Sequence, residues 1–243
     1  MSLANQVAVV TGGGTGIGAA CALALAEAGA QVAVGGRRLG PLEEVAARCP
    51  GPGTIHARTL DVACRESVEA FFSWVERELG QVDILVNAAG VNVPRRSMQE
   101  LAPQDWDRLL QINATGAYNC MHRVLPGMRS RARGTIVNIS SIAGKRAGPL
   151  GGVAYNASKF AMTALGLSVA AEEAEAGIRV TNIYPGEVDT PILEQRPRPV
   201  SQEHRRRILQ PEDVAAAVML AVTLPPRAHV AELVIKPTSQ VYV

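Results

Sequence analysis

Short apolar runs rich in β-branched residues alternate along the chain with longer segments rich in Ala, Leu and Glu. The short runs predict β-strands and the longer periodic segments predict α-helices. The predicted strands are Val7–Thr11, Gln31–Gly35, Thr54–Leu60, Val82–Asn87, Gly134–Ser140, Ile178–Tyr184 and Glu232–Ile235. The predicted helices are Gly16–Ala28, Leu39–Arg48, Arg65–Leu79, Pro103–Met128, Ala154–Ala176 and Pro211–Thr223.

The predicted strands are nearly continuous apolar runs, which is the pattern expected when both faces of a sheet are covered. Strands that alternate with helices predict a parallel sheet with helices on both sides, joined by right-handed crossovers. We therefore expect an α/β fold with a doubly wound parallel sheet of about seven strands. A Pro- and Arg-rich segment, residues 191–210, breaks the alternation, and we expect it to be a loop that covers a substrate site. Disorder is the alternative interpretation of this segment.

Length, composition and net charge exclude some classes of function but do not identify one. The chain has 243 residues, of which 47% are hydrophobic and 19% charged, and we expect one domain over residues 1–243. The net charge of +2 argues against nucleic acid as a partner. We find no signal or membrane-spanning pattern and no cysteine or histidine cluster for a metal. A cytoplasmic protein with reduced thiols at Cys21, Cys49, Cys64 and Cys120 is expected.

A glycine-rich turn follows the first predicted strand and opens the first predicted helix. It reads T-G-G-G-T-G-I-G from Thr11 to Gly18. Glycines let a phosphate approach the backbone closely, and the helix N-terminus offers free N–H groups and a positive dipole end to it. Because the turn lies in a strand–turn–helix unit, it predicts a dinucleotide site and a sheet of the Rossmann type.

The end of the second predicted strand bears on which dinucleotide binds. An acid at this point binds the ribose of NAD, but the chain has Gly36, followed by Arg37 and Arg38. An arginine can hold a 2′-phosphate through two hydrogen bonds, whereas an acid would repel it. The sequence therefore favours NADP(H), with NAD(H) as the alternative if both arginines are only solvated.

Tyr155 and Lys159 are four residues apart in V-A-Y-N-A-S-K-F, so a helix places them on one face. A tyrosine with a lysine one turn later is, by itself, usually an ordinary pair on a helix surface. The remaining motifs change this interpretation.

In the order and content of its motifs the chain resembles the single-domain short-chain dehydrogenase/reductase family over nearly its whole length. The matching stretches are Thr11–Gly18, Asp61-Val62, the N-A-A-G of Asn87–Gly90, the I-N-A-T-G around Asn113, the N-I-S-S-I-A-G around Ser141, the Y-N-A-S-K of Tyr155–Lys159, and Pro185–Thr190. The resemblance implies catalytic roles for Asn113, Ser141, Tyr155 and Lys159. The cofactor-binding residues that it and the preceding reasoning imply are Gly12, Gly14, Thr15, Gly16, Ile17, Gly18, Arg37, Arg38, Asp61, Val62, Asn87, Ala88, Gly90, Tyr155, Lys159, Pro185, Gly186, Val188 and Thr190.

Two features depart from the family pattern. Ser141 precedes Tyr155 by fourteen residues where thirteen is common, which leaves Ser140 as the other candidate for the catalytic serine. Relatives that prefer NADP often have a basic residue where this chain has Thr15. The NADP(H) prediction therefore depends on Arg37, less firmly on Arg38, and on the missing acid.

The resemblance also implies a mechanism. Tyr155 would exchange a proton with the substrate oxygen, and Ser141 would donate a second hydrogen bond to it. Lys159 would lower the pKa of the phenol toward neutrality and hold the nicotinamide ribose. Asn113 would anchor a proton-relay water, and Thr190 with the backbone of Val188 would hold the carboxamide.

The substrate is less well defined by the sequence. Any of several arginines in or after residues 191–210 could bind a carboxylate, and they are Arg196, Arg198, Arg205, Arg206 and Arg207. The tail Leu233–Gln240 resembles those of relatives that oxidise 3-hydroxy acids or β-hydroxy amino acids. A solvated cover without substrate contact is the alternative. The resemblance further implies a homotetramer or homodimer.

Two other function classes are weighed. A cofactor-binding sensor or scaffold without turnover would not need the set of Asn113, Ser141, Tyr155 and Lys159. An epimerase or dehydratase of the family's extended branch needs a further C-terminal substrate domain, and only residues 185–243 follow the last motif.

Overall fold

A computed structural model describes residues 2–241 of the chain. Within these residues seven strands form one parallel sheet: β1 (Val7–Thr11), β2 (Gln31–Gly36), β3 (Thr54–Thr59), β4 (Ile84–Asn87), β5 (Gly134–Ile139), β6 (Ile178–Pro185) and β7 (Glu232–Ile235). Their order across the sheet is β3-β2-β1-β4-β5-β6-β7. This confirms the predicted doubly wound sheet, with the strand order reversing between β1 and β4.

The helices are α1 (Gly16–Glu27), α2 (Leu39–Ala47), α3 (Arg65–Glu78), α4 (Pro103–Leu110), α5 (Gly116–Ser130), α6 (Val153–Glu173), α7 (Gln202–Arg205) and α8 (Pro211–Thr223). Along β1, Ala8 and Val10 pack on the face covered by α1, α2 and α8, whereas Val7 and Val9 pack on the face covered by α3, α5 and α6. Strands buried on both faces explain the continuous apolar runs in the sequence.

The predicted helix Pro103–Met128 is the main difference between expectation and structure. It is divided into α4 and α5 by a π-helical turn over Gln111–Thr115, and α5 continues to Ser130. A π turn contains one extra residue per turn, which the spacing of apolar residues does not reveal. The turn contains Asn113, and it therefore alters the local backbone at a predicted site residue.

The other predicted boundaries differ from the observed ones by at most three residues, and those of β1, β7 and α8 agree. Helix α8 begins at Pro211 as predicted, and the preceding Gln210 caps it, because its backbone N–H donates to the Asp213 carboxylate at 2.8 Å in a capping box. No helix within residues 2–241 combines the length and apolar character needed to cross a membrane. The four cysteines carry free thiols.

Candidate active site

The glycine-rich turn lies between β1 and α1, where the strand order reverses. Gly12 has a φ of +66°, and a Cβ on it would lie 2.8 Å from the Ala89 backbone. A Cβ on Gly18 would lie 2.3 Å from the carbonyl oxygen of Gly12. Side chains are excluded at both positions by backbone that cannot move aside, so the turn presents bare main chain to the cavity in front of it.

The N-terminus of α1 faces this turn. Thr15 is the N-cap residue, but its side chain does not cap the helix, and the first turn carries no acid. The N–H groups and the positive dipole end are therefore left for an anionic ligand. These features fit the diphosphate of a dinucleotide.

One cavity of about 620 Å³ extends from the glycine-rich turn to the N-terminal part of α6. It brings together fifteen of the predicted site residues: Gly12, Thr15, Gly16, Ile17, Gly18, Arg38, Ala88, Gly90, Ser141, Tyr155, Lys159, Pro185, Gly186, Val188 and Thr190. The predicted residues that do not line it are Gly14, Arg37, Asp61, Val62, Asn87 and Asn113.

At the end of β2 the two arginines differ in position. Both side chains are exposed, but only Arg38 lines the cavity. Which of the two arginines would hold a 2′-phosphate stays a prediction, and the position of Arg38 in the cavity wall favours Arg38. Asp61 lies in the turn before α3, where its carboxylate accepts a hydrogen bond from the Ala63 N–H at 3.0 Å.

The two candidate serines have different surroundings. The Ser140 hydroxyl is buried and lies 3.1 Å from the Thr163 hydroxyl and 3.3 Å from the carbonyl oxygen of Lys159. The Ser141 hydroxyl accepts from the Ala143 N–H at 3.1 Å and also interacts with the Tyr155 phenol. Ser141 is therefore the serine placed to act with Tyr155, while Ser140 holds α6 against the end of β5.

Lys159 is buried one helical turn after Tyr155. Its Nζ donates to the carbonyl oxygen of Ile139 at 2.8 Å, and it lies 5.8 Å from the centre of the Tyr155 ring. Burial disfavours the charged form and lowers the pKa of Lys159 to about 8. The Nζ also donates to the weak acceptor Met162 Sδ at 3.8 Å, so one of the three ammonium donors is left for other partners.

The pKa of Tyr155 differs from the sequence-based expectation. Burial raises the pKa of the phenol, while hydrogen bonding by Ser141 and the positive charge of Arg96 act in the opposite direction. The expected shift toward neutrality caused by Lys159 is not found. The physical reason is that the cost of burying the charged phenolate outweighs the opposing effects of Ser141 and Arg96.

Asn113 lies behind the cavity in the π-helical turn and is fully buried. Its amide accepts from the Val91 N–H at 2.8 Å and donates to the Val91 carbonyl oxygen and the Ser158 hydroxyl, both at 3.0 Å. A Cβ on Gly90 would lie 3.5 Å from Lys159 Nζ and 3.6 Å from Asn113 Oδ1. Gly90 thus lies next to both polar groups, at ordinary contact distance.

Asn87 belongs to a buried polar ladder across the sheet. Its side-chain Nδ2 donates to Asn138 Oδ1, and Asn138 Nδ2 donates to Asn182 Oδ1, both at 3.0 Å. The three residues lie on adjacent strands β4, β5 and β6. This ladder fixes the strand ends that carry the site.

The segment after β6 closes one side of the cavity. Thr190 packs against the glycine-rich turn, because a Cβ on Gly16 would lie 3.0 Å from its Cγ2. The Gln240 side chain accepts from the Glu187 N–H at 3.0 Å and also lines the cavity. The sequence reasoning noted Gln240 only as part of the tail.

Residues 191–210, predicted to be irregular, contain a 3-10 turn at Pro191–Gln195 and the short helix α7. Two ion pairs, Arg196 to Glu187 at 3.3 Å and Arg205 to Asp189 at 2.7 Å, hold the segment against the residues before it. A hydrogen bond of 2.6 Å between His204 and Glu187 adds to them. Leu193 is buried and lines the cavity. Residues 191–210 therefore form an ordered segment that packs over the cavity.

Arg96 is a cavity residue that the sequence reasoning missed. It lies on the loop after β4 and is only 7% exposed. The neighbouring Arg95 is exposed, and nothing in the sequence separates the two arginines.

Comparison with known proteins adds to this geometry. Residues 6–200 match the family described as short chain dehydrogenase. A glycine betaine reductase of Emericella nidulans is 38% identical over an alignment of 244 positions, which covers 98% of this chain but 19% of that protein. The chain thus spans about a fifth of that relative. An uncharacterized oxidoreductase of Staphylococcus saprophyticus is 34% identical over 98% of this chain and 99% of its own length.

Solved structures agree with the family match. A closed form of serine dehydrogenase complexed with NADP+ has a TM-score of 0.89 and 29% identity, covering 98% of this chain and 97% of its own. A 3-ketoacyl-(acyl-carrier-protein) reductase from Brucella melitensis complexed with NADH has a TM-score of 0.87 and 28% identity, covering 97% and 98%. With its sheet order, glycine-rich turn and motif positions in place, the chain belongs to the short chain dehydrogenase family.

Proposed function

We propose that the protein is an NADP(H)-dependent oxidoreductase that interconverts a carbonyl and a secondary alcohol, with Tyr155 as the acid and base. The observation that carries the proposal is the position of Tyr155. It interacts with Ser141 in the same cavity that the bare glycine-rich turn and the free N-terminus of α1 enter. A proton-exchanging group and a dinucleotide site thus share one cavity.

The residues present fit a nicotinamide dinucleotide. The main chain of the glycine-rich turn would hold the diphosphate, and Thr190 with the backbone of Val188 would hold the carboxamide. Lys159 would bond the nicotinamide ribose with the donor that Ile139 and the weak acceptor Met162 leave. When bound, a reduced nicotinamide supplies hydride transfer to the carbonyl carbon.

Preference for NADP(H) over NAD(H) is supported by charge at the end of β2. Gly36 stands where an acid would repel a 2′-phosphate, and Arg38 lines the cavity beside it. The serine dehydrogenase structure contains NADP+ and the 3-ketoacyl reductase structure contains NADH, so the relatives accommodate either cofactor. The preference is therefore argued from this chain's own residues.

Tyr155 and Ser141 act on the substrate oxygen. In the reductive direction Tyr155 donates a proton to this oxygen, and Ser141 donates a hydrogen bond while negative charge develops there. Because burial raises the pKa of Tyr155, the phenol is protonated at neutral pH, as a proton donor must be. In the oxidative direction Tyr155 accepts the proton, and the positive charge of Arg96 favours the phenolate. Asn113 holds a relay water behind Lys159.

The substrate that we propose is a 3-hydroxy acid or a similar small molecule. Residues 191–210 serve as its cover, since Leu193, Gln195 and Arg196 line the cavity. The tail contributes Gln240, consistent with its resemblance to relatives that oxidise such acids.

We also propose that residues 1–243 act as one domain in the cytoplasm, assembled as a homodimer or homotetramer. Large apolar side chains are exposed on α4, α5 and α6, the helices next to Asn113 and Tyr155. They are Trp106, Tyr118, Phe160 and Leu167. Packing of these faces between copies would bury them.

A screen of NADPH oxidation across aldehydes, ketones, 3-oxo acids and quinones tests the proposed function. We expect turnover of at least one carbonyl class, measured by loss of nicotinamide absorbance. Tight NADPH binding without turnover of any compound in the screen would contradict the proposal and favour a binding protein without catalysis.

A further inference from the structure

Arg96 is a buried cation in the wall of the cavity, 7% exposed. Its Nε donates to the carbonyl oxygen of Val93 at 2.8 Å and its Nη1 to that of Leu150 at 2.9 Å, while its Nη2 donates to that of Gln195. All three acceptors are neutral. Within residues 2–241 no carboxylate forms an ion pair with Arg96.

A buried charge without an opposite charge is costly, and most buried arginines are paired. A guanidinium has five N–H donors, so the three bonds of Arg96 leave two. Hydrogen bonds to carbonyl oxygens hold the group in a fixed orientation but do not neutralise it. The cavity beside Tyr155 is where an anion could complete the pairing.

The remaining charges in the cavity wall have the same sign. Among the described residues the wall contains one acid, Glu187, which forms an ion pair with Arg196 at 3.3 Å and a hydrogen bond with His204 at 2.6 Å. Its cationic side chains are Arg38, Arg96, Arg108, Arg146, Lys159 and Arg196. Arg38 follows β2, whereas the charge of Arg96 acts on both Tyr155 and Arg196.

Electrostatic effects link these groups. Burial, followed by the positive charge of Arg196, lowers the pKa of Arg96. The charge of Arg96 in turn acts on the Tyr155 phenol. Two cations that repel each other near a reacting group would both be stabilised by one anion placed between them and the phenol.

We propose that Arg96 determines substrate specificity by binding the carboxylate of a hydroxy-acid or oxo-acid substrate, with Arg196 adding to the attraction. This inference rests on the proposed function, because it names the class of substrate that binds in the same cavity. The planar guanidinium is suited to a carboxylate, which can accept two of its N–H groups at once. The three hydrogen bonds to carbonyl oxygens orient the guanidinium.

The rival explanation is that Arg96 only ties three segments together, since Val93, Leu150 and Gln195 lie on different loops. If Arg96 only tied the loops together, its loss would weaken the binding of every ligand of the cavity to the same extent. If Arg96 bound a carboxylate, its loss would weaken the binding of acids and leave the binding of their neutral analogues unchanged. The ratio of the affinity for an acid to that for its neutral analogue therefore separates the two explanations.

The test measures the dissociation constants of acetoacetate and of methyl acetoacetate by titration calorimetry with NADP+ bound. Both ligand and cofactor are then oxidised, so no turnover occurs. For the wild type we expect the acid to bind roughly 10- to 100-fold more tightly than the ester. In Arg96→Gln the ratio should fall to about one, with ester binding changed little. Arg95→Gln, an exposed neighbour outside the cavity wall, is the matched control and should keep the wild-type ratio.

A wild type with no preference for the acid, or with no binding of it, overturns the proposal. An equal loss of acid and ester in Arg96→Gln also overturns it and leaves Arg96 as a tie between loops. If Arg96→Gln does not fold, Arg96→Lys takes its place. It keeps the charge but loses the two-pronged geometry, so we expect the ratio to fall at least about fivefold, and an unchanged ratio contradicts the proposal.

Binding and turnover also separate this inference from the proposed function. Acid-selective binding without turnover of any carbonyl would contradict the function and support the role of Arg96. Turnover of neutral ketones without selective binding of acids would support the proposed function and contradict the role of Arg96.

Discussion

The Lys159 ammonium lies 5.8 Å from the centre of the Tyr155 ring and donates a hydrogen bond of 2.8 Å to the carbonyl oxygen of Ile139. The end of β5 therefore anchors the lysine on the side of α6 that carries Tyr155. A charge anchored by the main chain stays in place when ligands enter and leave.

Burial of Lys159 predicts a specific dependence of stability on pH. Its pKa falls from the usual 10.5 to about 8 on folding. Between these two values the unfolded chain holds a proton that the folded chain has lost, so stability rises with pH in this window. Below pH 8 the cost of the buried charge is present in full.

The variant Lys159→Met removes this titration. The free energy of unfolding of the wild type minus that of the variant should be flat below about pH 7 and rise by an amount of the order of 3 kcal/mol toward pH 10.5. Denaturant titrations of both proteins over this range measure the difference. A difference that stays constant throughout contradicts the shifted pKa.

The two adjacent serines predict opposite phenotypes. Ser141→Ala removes a donor to the substrate oxygen and should lower kcat about 100-fold with little change in stability. Ser140→Ala removes a buried hydroxyl that contacts Lys159 and Thr163, and should cost roughly 1–2 kcal/mol of unfolding free energy. Steady-state kinetics and thermal unfolding of both variants make the comparison. A stable Ser141→Ala enzyme with full turnover would exclude this assignment.

Arg38 and Arg37 form the second matched pair. Because Arg38 lines the cavity and Arg37 does not, Arg38→Ala should raise the KM for NADPH about 10- to 100-fold and leave the KM for NADH within about threefold. Arg37→Ala should raise the KM for NADPH less than Arg38→Ala does. Equal effects of Arg38→Ala on the two cofactors would contradict phosphate binding by this side chain.

The sequence was sufficient to predict the sheet, because strands such as Val7–Thr11 are apolar on both faces and alternate with helices. The glycine-rich turn could be placed for the same kind of reason, since Gly12 and Gly18 mark positions where side chains do not fit. Both features are determined by residues that are neighbours in the sequence, so they can be recognised from the sequence alone.

Other features depend on contacts between distant segments. Asn113, in the π-helical turn, bonds through its side chain to Val91 on another segment of the chain. Arg96 differs from Arg95 only through the carbonyl groups that fold around it, and Ser141 differs from Ser140 only through the direction of its side chain. No spacing in the sequence distinguishes the members of these pairs.

Replacement of Tyr155 by phenylalanine tests the central claim most directly. Phenylalanine keeps the ring and removes only the phenolic oxygen, so the cavity wall stays in place. With a carbonyl compound turned over by the wild type, Tyr155→Phe should lower kcat by about 1,000-fold, while the dissociation constant for NADPH changes by less than about threefold. Residual turnover above about a tenth of the wild-type rate, with NADPH still bound, would contradict the assignment of Tyr155 as the acid and base.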